Sequence, residues 1–98
     1  MSLIALTDTA GALPQAWASQ VLARFGGANL KVLRMDASAY PDECHDYPEG
    51  LLVVEGEMLL EIDGAIVRVG AGELYVVPAG VPHAVAVGSR GTLVILDT

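Results

Sequence analysis

The chemistry open to this chain is concentrated in two short passages, each built around one of its two histidines. The first, Asp42-Glu43-Cys44-His45-Asp46-Tyr47-Pro48-Glu49, packs four carboxylates into eight residues. Such charges repel one another unless water or a cation screens them, and taken alone the stretch reads as a solvated acidic loop. On an extended backbone, however, Glu43 and His45 share a face while Cys44 points away. An imidazole beside a carboxylate is the start of a first-row metal site. Glu49 and, from the second passage, His83 are the candidates to complete it. His45, Glu49 and His83 would supply two imidazoles and one carboxylate, the facial triad that leaves coordination positions open. Glu43 would be a fourth ligand, and either Glu43 or Glu49 could serve as a base. For His83 taken alone, the competing reading is a solvent-facing turn residue after Pro82.

The remaining reactive side chains are less promising. Cys44 has no base at a suitable spacing to lower its pKa, so it reads as an inert thiol. Trp17, Tyr40, Tyr47 and Tyr75 could line a pocket, although single aromatics in a small chain more often serve a core or an interface. Arg34 is the basic residue placed to matter: it could orient an anionic substrate, and the more economical expectation is that it pairs with Glu43.

These residues must be positioned by a single domain. At 98 residues, with 53% hydrophobic side chains, the chain can bury one core and no more. A net charge of −7 argues against nucleic acid and anionic membrane surfaces as partners. No apolar run approaches the roughly 18 residues of a membrane span. A lone cysteine excludes an intrachain disulfide and fits a reducing, cytoplasmic setting.

Near the N-terminus, Leu13, Trp17, Val21 and Phe25 recur every four residues. With Pro14 at a first turn and Gly26-Gly27 as a stop, this spacing predicts an amphipathic helix over 13–25. Beyond Gly27 no helix is expected. Short apolar runs alternate instead with turn signals at Tyr40-Pro41-Asp42, Glu55-Gly56, Asp63-Gly64, Gly70-Ala71-Gly72, residues 78–82 and residues 88–91, as in an antiparallel sandwich or barrel. Asp63-Gly64 is a two-residue hairpin signal. Met58, Leu60 and Ile62 alternate with acidic or exposed positions, placing the core on the Met58 side. Leu51-Leu52-Val53-Val54 is apolar on both faces, which calls for a second covering layer or a subunit contact.

Over about Asp42 to Val87 the chain resembles a small single-domain cupin. His45 stands where the first cupin motif has its second histidine. Glu49 follows after Asp46-Tyr47-Pro48, and Gly56 after the six residues from Gly50 to Glu55. The second motif runs from Gly72 through five residues to Pro78, then Gly80, then His83. The resemblance implies an all-β fold, a double-stranded β-helix or jelly-roll barrel with a short N-terminal helix or appendage. It divides the chain into an appendage over 1–28 and a barrel over 29–98. It also implies that the motif side chains turn into the barrel mouth to hold a metal. The chain departs from the motifs twice, with Glu43 in place of the first histidine and Val87 in place of a final asparagine; the latter reads as a packing detail. Two carboxylates with two imidazoles favour Mn, Fe, Zn or Ni without choosing between them. A second register would use Asp42 and Cys44 and leave His45 idle.

The fold class leaves the chemistry open. A metalloenzyme of dioxygenase or isomerase type, acting on a small organic molecule in the barrel mouth, stands against a non-catalytic ligand-binding module. A metal-free barrel in which Arg34 neutralises the carboxylates is a third reading. The apolar composition, the doubly apolar 51–54 run and the short length predict a homodimer.

Overall fold

A computed structural model describes residues 3–98. One short helix, α1 (Leu6–Gly11), precedes eight strands: β1 (Gln20–Phe25), β2 (Ala28–Asp36), β3 (Tyr40–Glu43), β4 (Glu49–Ile62), β5 (Ala65–Gly70), β6 (Leu74–Val77), β7 (His83–Val85) and β8 (Arg90–Asp97). They form one curled antiparallel sheet in the order β1-β2-β8-β4-β7-β3, with β5 and β6 also paired to β4. The fold is the all-β barrel expected.

Strand β4 organises the molecule, because different stretches of it pair with β5, β6, β7 and β8. The expected turn at Glu55-Gly56 is absent; the strand runs through it with a register shift between Val53 and Glu55. Leu51 and Val53 point into the core before the shift, and Met58, Leu60 and Ile62 after it. The inward face therefore changes from odd to even positions, which an extra residue in a bulge accomplishes while it bends the strand. Gly56 and Gly91 lie opposite each other at this bend with φ of +82° and +111°. A Cβ on either would fall on the backbone carbonyl of the other strand, at Arg90 or Glu55. Arg90 and Gly91, expected in a turn, are the first residues of β8.

The Asp63-Gly64 hairpin is present, with φ of +51° and +74° and Ile62 paired to Ala65. Nothing lies within 4 Å of a Cβ built on Gly64. Gly64→Ala should therefore cost only the left-handed backbone conformation, about 1 kcal/mol, read as a shift of the urea midpoint at constant slope.

No helix forms over 13–25. Trp17 has φ of +66°, its N–H donates to the Arg34 carbonyl at 2.9 Å, and residues 20–25 pair with β2. Gly26-Gly27 is the loop of that hairpin, Phe25 pairing with Ala28. The four-residue apolar spacing gave way because pairing along β2 satisfies backbone groups that an isolated short helix holds only marginally. The helix that does form lies earlier, where Ala10, Leu6 and Leu13 pack on Val32, Val94, Leu52 and Val54. It is this helix that covers the second face of the 51–54 run. Tyr40–Glu43, expected as a turn, is an edge strand beside β7; Pro41 is tolerated there because an edge strand can spare an N–H.

Candidate metal centre

Glu43 closes β3 and stands directly opposite His83, which opens β7. Glu49 opens β4 opposite Val77. His45 lies in the connection between β3 and β4, and its carbonyl accepts the Gly80 N–H at 2.7 Å. That bond ties it to the Pro78–Pro82 loop that delivers His83. Three strand ends and one pinned loop thus bring the four side chains together, with one ligand atom from each lying within 4.8 Å of all the others.

The His83 ring is buried, and its Nδ1 lies 3.1 Å from the Val81 carbonyl. A carbonyl can only accept, so Nδ1 carries the proton and donates it. In the neutral ring Nε2 then presents a lone pair, yet Glu49 Oε1 lies 3.1 Å from it. A second proton on the ring, donated to Glu49, or a cation held by both groups would satisfy that contact. A backbone carbonyl behind a histidine is also the usual way a metal-binding imidazole is oriented. Around the same point, His45 Nε2 is 3.7 Å from both Glu43 Oε2 and Glu49 Oε2, and His83 Nε2 is 3.9 Å from Glu43 Oε2. His45 Nε2 is buried with no hydrogen-bond partner, an arrangement that is costly unless something else occupies the lone pair. The Tyr47 ring stacks on His45, with centroids 4.9 Å apart and planes 12° from parallel, and fixes the orientation of that imidazole. The donor set of two imidazoles and two carboxylates therefore fits a first-row divalent ion.

The cluster forms one wall of a pocket of about 140 Å³, well below the ~300–1,000 Å³ of drug-sized sites. Leu33, Leu51, Met58, Val85 and Leu93 form its floor, and Trp17, Tyr40 and Tyr47 also line it. Trp17 is held there by indole N–H bonds to Asp36 Oδ1 at 2.7 Å and Ser38 Oγ at 2.9 Å. The Ser38 hydroxyl, which donates to the same carboxylate, and the Trp17 indole hold the Asp36 carboxyl below its ordinary pKa, the hydroxyl contributing most. Burial, followed by the nearby Asp97 and Glu49 charges, pushes the Tyr47 phenol above its ordinary value, so it stays a donor across the physiological range.

The expectations for Arg34 and Val87 require correction, and the structure sorts the other candidates. Arg34 does not meet Glu43; its guanidinium donates to the Leu13 carbonyl at 3.1 Å, on the helix side of the sheet, and it does not neutralise the cluster. Tyr75 packs against the core instead of lining the pocket. Val87 is 70% exposed and plays no packing part. Cys44 is exposed, and Glu43 and His45, not Asp42 and Cys44, are the residues that join the cluster. Two charged pocket residues were not anticipated from the sequence: Lys31 and Asp97, which form an ion pair at 2.6 Å. The hydrogen bond to Asp97 outweighs burial and raises the Lys31 pKa. Their signal was strand parity, since Lys31 shares a face with Leu33 and Met35, and Asp97 with Leu93 and Ile95.

A small antiparallel barrel with a histidine–carboxylate cluster in its mouth defines a class of protein. The cupin domain profile matches residues 32–98, and the chain belongs to that family. Among solved structures it is similar to a cupin-2 domain containing protein from Shewanella frigidimarina, at 24% identity and a TM-score of 0.86, over 96% of this chain and 92% of that one. A protein from Neisseria meningitidis is 25% identical over 98% of both chains, with a TM-score of 0.83. The DMSP lyase DddQ from Ruegeria pomeroyi is 27% identical, with a TM-score of 0.70, over 82% of this chain but 45% of its own. No protein of curated function matches the sequence. No helix among the described residues is long and apolar enough to cross a membrane.

Proposed function

We propose that Glu43, His45, Glu49 and His83 hold one divalent transition ion, Fe, Mn, Zn or Ni, and that the adjoining pocket takes a small organic molecule. The observation that supports this most directly is the convergence of four ligand atoms within 4.8 Å of one another, one of them the buried His45 Nε2, which has no hydrogen-bond partner. Four protein ligands would leave room in the shell of such an ion for a molecule bound in the adjoining pocket that the same residues line. When bound, such an ion supplies Lewis-acid polarisation of a substrate oxygen or, for a redox metal, oxygen chemistry. The protein groups divide the remaining work. The Glu49 side chain is 7% exposed with His83 Nε2 at 3.1 Å, whereas that of Glu43 is 35% exposed. Glu43 is therefore the carboxylate able to accept a proton from a bound molecule. The apolar floor offers contact to the carbon skeleton of a bound molecule, and the Tyr47 phenol can donate to a substrate oxygen.

This reading makes the protein a metal-dependent enzyme of dioxygenase or isomerase type, with the free thiol of Cys44 fitting a cytoplasmic location. Elemental analysis of freshly purified protein is its test, followed by oxygen-uptake and isomerisation screens on the metal-loaded form. An ion bound without turnover on any small molecule would favour the non-catalytic binding module.

A homodimer belongs to the same reading. Leu74, Val76 and Leu96 are exposed around Gly50 on the outer face of the sheet, beyond the area that α1 covers. Burying this strip against a second copy would remove it from water. Sedimentation at micromolar concentration is expected to give a dimer, and a monomer would overturn this part of the proposal.

A further inference from the structure

Beside the Glu/His cluster the pocket carries a second polar pole. Lys31 of β2 and Asp97 of β8 occupy positions whose strand neighbours, Leu33, Met35, Leu93 and Ile95, build or pack on the barrel core. Charges at two core-facing positions are costly, and well-packed apolar side chains would serve stability at least as well. The pair is also asymmetric. The Asp97 side chain is 3% exposed and both of its oxygens are engaged, Oδ2 by Lys31 Nζ at 2.6 Å and Oδ1 by Asn29 Nδ2 at 3.2 Å. The Lys31 side chain is 25% exposed, and its ammonium has three donors, one of which serves Asp97. Asp97, held by Asn29, thus sets the position of a cation that borders the pocket. Lys31 is the sole Lys or Arg among the described residues that line it.

We propose that the pocket takes a small organic anion, its carboxylate bound by the Lys31 ammonium and a second polar atom directed at the Glu43/His45/Glu49/His83 cluster. Lys31 is a substrate-binding residue and Asp97 its positioning residue. The proposal rests on the cluster holding a metal. Without that ion, Glu43, Glu49 and Asp97 would confront an incoming anion with one lysine to offset them; with it, the pocket's fixed charges balance and the ammonium decides the orientation. A volume of about 140 Å³ restricts the ligand to a compact acid.

The test uses the full chain loaded with zinc and titrated calorimetrically with glycolate, 3-hydroxypropionate and 4-hydroxybutyrate, each against its neutral amide. At least one acid should bind about tenfold or more tightly than its amide, a difference of about 1.4 kcal/mol. The double variant Lys31→Met/Asp97→Asn removes both charges, leaves no unpaired buried carboxylate, and should bring acid and amide within about twofold while zinc stoichiometry is unchanged. Should that variant fail to fold, Lys31→Gln, whose amide still donates to Asp97, gives the same readout. Zinc uptake without any preference for the acids, or a preference that survives loss of Lys31, overturns the anion site and leaves the metal reading intact. Absence of uptake of zinc and equally of iron, manganese and nickel overturns the metal reading, and the anion site falls with it.

Discussion

His83→Ala is expected to empty the metal centre. The wild-type protein should retain about one divalent ion per chain, and the variant should bind at least about 100-fold more weakly, since even loss of a group that merely orients a ligand costs 10–100-fold. His83 is the ligand whose role is most constrained by its surroundings. Its Nδ1–H is held by Val81, its Nε2 faces Glu49, and its strand register sets it opposite Glu43. A second readout follows from linkage: an ion present at 100 times its Kd stabilises the folded state by about 2.7 kcal/mol. At that concentration a variant binding 100-fold more weakly gains only about 0.4 kcal/mol, so added metal should raise the melting temperature of the wild type well above the small rise in His83→Ala. Glu43→His, which restores the family's motif at that position, should keep the ion. A full complement of metal in His83→Ala would remove the basis for the site.

Gly91→Ala is expected to be, with Gly56→Ala, one of the two most damaging glycine-to-alanine changes in this fold. Gly91 combines a φ of +111° with a Cβ position that coincides with the Glu55 carbonyl. Backbone, unlike a flexible side chain, cannot move aside without breaking the β4–β8 pairing that runs from Gly50 to Glu57. The cost should reach about 3 kcal/mol or more, a large share of the ~5–15 kcal/mol that stabilises a typical domain. For a chain of this size that corresponds to a melting temperature lower by ~12–24 °C, or to protein recovered only in inclusion bodies. Gly64→Ala is the matched control, because it shares the positive φ and lacks the clash. Equal, small losses in the two variants would show that the two backbones do not meet as described.

The contrast between these glycines also marks where sequence reading stops. Asp63-Gly64 was legible as a hairpin because a two-residue turn between alternating strands is a local property. Gly56 looked like another turn for the same reason, yet its requirement comes from Gly91, 35 positions away in the chain and directly opposite in the sheet. Leu13, Trp17, Val21 and Phe25 fit a helical period, but the free edge of β2 offered residues 20–25 backbone partners on both sides of a bulge between Val21 and Ala23, and the strand prevailed.

The sequence by itself determined the all-β class, the inward face of the Met58 strand, and the identity of Glu43, His45, Glu49 and His83 as the residues able to form a cluster, because alternation and short-range ligand spacing are written in neighbouring positions. Only the tertiary structure decided that Glu43 would face His83, that α1 and not a partner would cover Leu52 and Val54, and that Lys31 and Asp97 would enter the pocket while Arg34 would not. Each of those depends on which strands pair and in what register, a choice made by the burial of the whole core and carried by no single segment of the chain.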